Sequence, residues 1–108
     1  MRTTELIYFP GCSNVDEARA QLRRAFIAVN LKPTWVEHQT SDPDFPAHAR
    51  GYGSPTILVD GRDVMGIAPA PCSEACRLYL DEDGRRVGAP PLHSIVAALT
   101  ATRRHARG

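Results

Sequence analysis

The sequence has little net charge and no long apolar run. Thirteen basic and twelve acidic side chains leave a formal charge of +1 over 108 residues, so charge does not favour nucleic acid or a membrane surface as a partner. Apolar runs are short, for example Ile57-Leu58-Val59, whereas a transmembrane helix needs about 20 apolar residues. Residues 1–12 lack the apolar core and the cleavage site of a signal peptide. We therefore expect a cytoplasmic protein with no membrane partner and no nucleic-acid partner.

Cysteine is also scarce, with Cys12, Cys72 and Cys76 alone in the chain. An odd number of cysteines in a reducing compartment argues against a permanent disulfide framework and favours thiol chemistry. Cys72 and Cys76 are spaced more widely than the cysteines of a zinc knuckle. No metal-ligand spacing is present among the four histidines, which are His38, His48, His93 and His105. We therefore expect no resident metal and no cofactor, and we expect the function to lie with the cysteines.

The first half of the chain has the pattern of a strand, a helix and a second strand. Residues 5–9 are an apolar strand that ends at Pro10-Gly11 and leads into a loop carrying Cys12. Apolar side chains from Val15 to Val29 then recur every three or four residues, which predicts an amphipathic helix capped by Ser13 or Asn14. Residues 34–37 predict a second strand, parallel to the first because a helix separates the two.

The second half predicts a hairpin and a closing helix. Residues 39–53 are broken by prolines and glycines, so they hold at most a short helix around residues 45–50. Residues 54–59 and 62–65 predict two strands joined by the turn Asp60-Gly61. Residues 76–80 predict a short strand, and a helix follows Pro90-Pro91. The hydrophobic content of 43% is enough for one core, which predicts a single domain over residues 1–108 with residues 103–108 as a frayed tail.

This order of elements resembles the thioredoxin-like superfamily. The resemblance is carried by YFPGCSNV, which places Cys12 at the first strand-to-helix turn, and by GSPTILVDGRDV, which is similar to the superfamily's cis-proline strand. It implies an α/β fold with a central mixed sheet of about four strands flanked by helices. It also implies that Cys12 attacks, that Pro55 is cis, and that the Ser54 backbone positions an extended substrate. A helix N-terminus near Cys12 favours its thiolate form.

The motif departs from the family because Val15 occupies the place of the usual second cysteine. Thioredoxin-like proteins with a single cysteine there form a mixed disulfide with a small thiol or use a resolving cysteine elsewhere. In this chain the candidates for the resolving cysteine are Cys76 and Cys72. The expected partner is thus a protein or a low-molecular-weight thiol or disulfide.

The whole pattern also resembles small bacterial thioredoxin-like proteins labelled alkylmercury-lyase-like. Organomercurial lyases use two cysteines and an aspartate placed three residues after a cysteine, and none of the three cysteines here has that spacing. The resemblance therefore does not imply that this chain has the lyase activity. Two alternatives to a thiol–disulfide oxidoreductase stay open: a protein that binds mercury or another soft metal through its thiols without turnover, and a redox-inactive interaction module.

Overall fold

The computed structural model describes residues 3–70 and 77–107, and of residues 102–107 it describes the backbone alone. Cys72 and Cys76 therefore lie outside the described residues. The helices are α1 (Val15–Ala28) and α2 (Leu92–Arg107), and a 3₁₀ turn covers Ala47–Ala49. The strands are β1 (Thr4–Tyr8), β2 (Val36–Gln39), β3 (Thr56–Val59), β4 (Arg62–Asp63), β5 (Tyr79–Leu80) and β6 (Arg86–Val87).

The four strands β1 to β4 form one mixed sheet in the order β2-β1-β3-β4. β1 runs parallel to β2 and antiparallel to β3, and β3 is antiparallel to β4. The predicted hairpin is confirmed, since Asp60 and Gly61 both have positive φ, at 51° and 81°, as the tightest hairpin turns require. The parallel β1–β2 pair is confirmed as well, although β2 begins two residues later than predicted. The chain is thus an α/β protein with a four-stranded mixed sheet.

The two α-helices pack on the same face of this sheet, so they do not flank it from both sides. Side chains alternate along a strand, and Leu6 of β1 lies opposite Ile57 of β3 on the helix face. The helices cover this face of the sheet with apolar side chains that include Leu22, Ile95 and Leu99, none of which has any exposed surface. The helices share one face because α2 packs directly against both α1 and β3.

The connection between β2 and β3 covers the opposite face. Ala49 and Tyr52 from this connection pack with Ile7 and Leu58 of the sheet, and Phe45 adds to the same cluster. The short helical segment predicted around residues 45–50 is confirmed as the 3₁₀ turn. A segment broken by prolines therefore performs the packing role that a helix was expected to fill.

The start of α1 differs from the predicted cap, in which the side chain of Ser13 or Asn14 bonds to the first turn. Asn14 is the N-cap residue, but its side chain makes no capping hydrogen bond. A Cβ built on Gly88 would lie 2.3 Å from Asn14 Cγ, so the Asn14 side chain packs against the Gly88 backbone. Close packing against residue 88 thus replaces the local cap.

An ion pair joins α1 to β2 at the edge of the sheet. Arg19 donates from Nε and Nη2 to the two oxygens of Glu37, at 2.9 Å and 2.8 Å. Trp35 Nε1 donates to the same carboxylate at 3.0 Å. The hydrogen bond from Arg19 lowers the pKa of Glu37, against the opposing effect of partial burial. Two parallel bonds fix the helix on the strand more firmly than a single contact could.

The last third of the chain adds a small hairpin and α2. β5 and β6 pair antiparallel as a separate two-stranded sheet, and β5 lies within the strand predicted over residues 76–80. α2 follows Pro90-Pro91 as predicted and runs to Arg107, which takes in residues from the predicted tail. In the described part of the chain, no helix has the length and apolar character needed to cross a bilayer.

Candidate thiol site

Cys12 lies in the turn between β1 and α1, where its side chain is partly exposed as a free thiol. Its backbone N–H donates to the carbonyl oxygen of Phe9 at 3.1 Å. The turn is closed through Gly11, whose φ of 78° suits glycine. Asn14, the N-cap of α1, is two residues further on. The sulfur is therefore held near the start of the helix and remains open to a reactant.

The loop that carries Ser54 and Pro55 lies beside this turn. β1 and β3 are antiparallel with Ile7 opposite Thr56, so the residues after β1 and those before β3 meet at one edge of the sheet. The backbone N–H of Phe9 donates to Ser54 Oγ at 3.0 Å. The Ser54–Pro55 peptide bond is cis. A direct hydrogen bond thus connects the Cys12 turn to the Ser54-Pro55 loop, the second motif that carries the family resemblance.

The backbone of Ser54 already has a partner from this chain. The N–H of Arg77 donates to the Ser54 carbonyl oxygen at 2.8 Å, and Ser54 and Pro55 are both fully buried. The resemblance assigns this part of the loop to an extended substrate. In this protein the segment that begins at Arg77 contacts it instead.

Tyr79 contacts the loop that carries Pro55. Its hydroxyl donates to the carbonyl oxygen of Pro55. Burial is the main reason why the pKa of Tyr79 is raised far above its usual range, and negative charge on Asp63 and on Cys12 raises it further, against an opposing effect of Arg77. Tyr79 therefore stays neutral and keeps donating to Pro55.

Arg77 holds this edge together through its side chain. Nη2 donates to Asp63 Oδ2 and Nη1 donates to Thr56 Oγ1, both at 3.0 Å. The Asp63 side chain has no exposed surface, and it also accepts from the backbone N–H groups of Met65 and Ile67. The guanidinium lies 4.7 Å from the centre of the Tyr79 ring. An ion pair to a fully buried carboxylate therefore anchors Arg77, the residue that follows Cys76 in the sequence.

The structure thus brings together three of the five predicted site residues, Cys12, Ser54 and Pro55. The other two, Cys72 and Cys76, lie outside the described residues. Arg77, Asp63 and Tyr79 were not predicted as site residues. No local pattern in the sequence marks Asp63 as the partner of an arginine 14 residues away.

A second polar cluster brings together two of the four histidines, among which the sequence shows no metal-ligand spacing. His38 Nε2 and His48 Nε2 lie 2.8 Å and 2.6 Å from the same oxygen of Glu5, Oε2. These residues are 33 and 43 positions from Glu5 in the sequence, so no local spacing could reveal them. The register of β1 and β2 is the one signal that would have placed Glu5 and His38 on one face.

Comparison with known proteins does not assign this chain to a family. No family model, no curated protein and no solved structure matches it.

Proposed function

We propose that this chain has a thioredoxin-like fold and acts as a thiol–disulfide oxidoreductase or thiol-transfer protein, with Cys12 as the attacking thiol. The observation that carries the proposal is the junction of the Cys12 turn with the Ser54-Pro55 loop through the Phe9–Ser54 hydrogen bond. The strand order β2-β1-β3-β4, with a parallel β1–β2 pair and a β3–β4 hairpin, supports the fold. A partly exposed thiol near a helix start supports the chemistry.

The position of Arg77 favours Cys76 over Cys72 as the resolving cysteine. Arg77 is bonded to Ser54 through its backbone and to Asp63 through its side chain. Cys76 is the residue immediately before Arg77 in the sequence, whereas Cys72 is four residues further away. The preference for Cys76 rests on this covalent link to an anchored residue.

The same contact favours a small disulfide as the substrate. A protein substrate in extended conformation would need the backbone of Ser54, and its carbonyl oxygen already accepts from Arg77. A low-molecular-weight disulfide needs only access to the partly exposed sulfur of Cys12. We therefore propose a substrate of this smaller class.

The reaction balances as two thiol–disulfide exchanges. The Cys12 thiolate attacks one sulfur of the substrate disulfide, which forms a mixed disulfide and releases the first thiolate. The Cys76 thiolate then attacks Cys12 Sγ, which forms the Cys12–Cys76 disulfide and releases the second thiolate. Two electrons pass from the protein to the substrate, and two molecules of a low-molecular-weight thiol must reduce the protein again, leaving as their disulfide.

Trapping the mixed disulfide tests this assignment. With oxidised glutathione as the probe, Cys76→Ser is expected to accumulate the Cys12 adduct, because the second exchange has lost its nucleophile. Cys72→Ser is the matched control and should behave as the wild type does, with little adduct. Intact-mass measurement after acid quenching quantifies the adduct in each protein.

The trapping experiment also separates the alternatives. Accumulation in Cys72→Ser and not in Cys76→Ser would assign the resolving role to Cys72. Equal and lasting adduct in the wild type and both variants would overturn a distal resolving cysteine. Absence of an adduct on Cys12 in every protein would overturn the oxidoreductase proposal, and the soft-metal and interaction-module alternatives would then be tested.

A further inference from the structure

We propose that Glu5, His38 and His48 form a binding site for a divalent transition-metal ion of the zinc class, separate from the thiol site. One oxygen of Glu5 and one ring nitrogen of each histidine lie within 4.8 Å of one another. A carboxylate and two imidazoles are a standard ligand set for such ions, with a further position left for water.

The strand register and the 3₁₀ turn explain why these side chains meet. Glu5 and Ile7 lie on the same face of β1, and Ile7 is opposite His38 in β2. His48 comes from the 3₁₀ turn, which is fixed on this face by the buried Ala49. Each ligand therefore stands on an element that the fold positions independently of the cluster.

The charge on Glu5 is the strongest argument for a cation. The Glu5 side chain is 6% exposed and lies on a face packed with apolar residues. Among the described residues, its side-chain partners are the two imidazoles. A buried carboxylate needs a positive charge beside it, because a buried charge without a counter-charge is costly. A bound divalent ion would supply the missing charge.

The distances suit an ion after a small outward movement of the ligands. The two nitrogen–oxygen separations are 2.8 Å and 2.6 Å, whereas tetrahedral zinc with bonds near 2.0–2.1 Å holds its ligand atoms about 3.4 Å apart. His48 can move away from Glu5 because its side chain is 54% exposed, and His38 must separate from Glu5 by about 0.6 Å to reach the same spacing. The same exposure leaves a route by which the ion can enter and a water molecule can fill the remaining position.

The donor atoms define the class of ion. Two nitrogens and one oxygen suit Zn²⁺, Co²⁺ or Ni²⁺, while Ca²⁺ and Mg²⁺ prefer sites made of oxygen. Sulfur is absent from this ligand set, so it differs from the soft-metal site that the cysteines could form. Metal binding by Glu5, His38 and His48 is therefore independent of any redox chemistry at Cys12.

The test uses the full chain with all three cysteines replaced by serine, which removes metal binding by thiols. Titration with Zn²⁺ by calorimetry should give one site, and Co²⁺ should give visible d–d absorption from a nitrogen and oxygen environment. His48→Ala in this background should weaken Zn²⁺ binding at least tenfold, since loss even of a residue that supports a metal ligand costs about 10–100-fold. Glu5→Gln and His38→Ala should weaken it as well.

His93→Ala is the matched control. His93 is a histidine of similar exposure, at 48%, and it also faces a carboxylate, that of Glu82 at 3.3 Å. This variant should bind Zn²⁺ as tightly as the parent, which is the chain with all three cysteines replaced by serine. Absence of Zn²⁺ binding by the parent, or equal binding by the His48→Ala and His93→Ala variants, would overturn the proposal. Because His48 is exposed, its variant answers the question even if Glu5→Gln fails to fold.

Discussion

Replacing Cys12 by serine is expected to lower the rate of disulfide reduction to that of the uncatalysed reaction. A serine hydroxyl does not attack a disulfide, because the thiolate is the nucleophile in this exchange. Cys12 is partly exposed in a turn that is held by backbone bonds, so the substitution should leave the fold and its thermal stability unchanged. The measurement is the initial rate of reduction of a small chromogenic disulfide with an excess of reductant.

Two control variants make this result specific to Cys12. Cys72→Ser removes another thiol and should keep most of the activity if Cys76 resolves the mixed disulfide. Ser13→Ala alters the neighbouring side chain and leaves every thiol in place, so it should also remain active. Wild-type activity in Cys12→Ser would contradict the proposed function.

Replacing Asp63 by alanine is expected to cause the largest loss of stability, about 3–5 kcal/mol in the free energy of unfolding. The substitution leaves the guanidinium of Arg77, which is 17% exposed, without its counter-charge. It also removes the acceptor for the backbone N–H groups of Met65 and Ile67. A domain of this size has about 5–15 kcal/mol in total, so the loss should lower the melting temperature by at least about 12 °C.

Urea unfolding of Asp63→Ala beside Asp83→Ala measures this effect. Asp83 is exposed, so its substitution changes the net charge equally and should cost less than about 0.5 kcal/mol. Asp63→Asn keeps an acceptor oxygen and should fall between the two. Equal stability of Asp63→Ala and Asp83→Ala would show that the Arg77–Asp63 pair does not hold this edge of the sheet.

Much of the fold follows from local patterns in the sequence. The amphipathic spacing of α1 and the Asp60-Gly61 turn depend on neighbouring residues, and both elements lie where the pattern predicts them. The shift of β2 to Val36–Gln39 and the packing of both helices on one face depend on tertiary contacts. A single sequence contains no direct signal for such contacts.

In the candidate site, too, some residues could be predicted from local sequence patterns, and others depend on tertiary contacts. Cys12, Ser54 and Pro55 were found because two short motifs mark them in the sequence. The Arg77–Asp63 pair and the cluster around Glu5 join residues 14 to 43 positions apart. Each of these side chains is unremarkable in its local segment, and it gains a role only when the sheet register and the loop packing bring the partners together.

Mapping the disulfide formed by mild oxidation is the most direct test of the thiol mechanism. The reduced wild-type protein is treated with one equivalent of a small disulfide, alkylated at low pH and digested, and the linked peptides are identified by mass. We predict a Cys12–Cys76 link in most of the oxidised protein, with Cys72 alkylated. A Cys72–Cys76 link with Cys12 alkylated, or three alkylated cysteines, would contradict it.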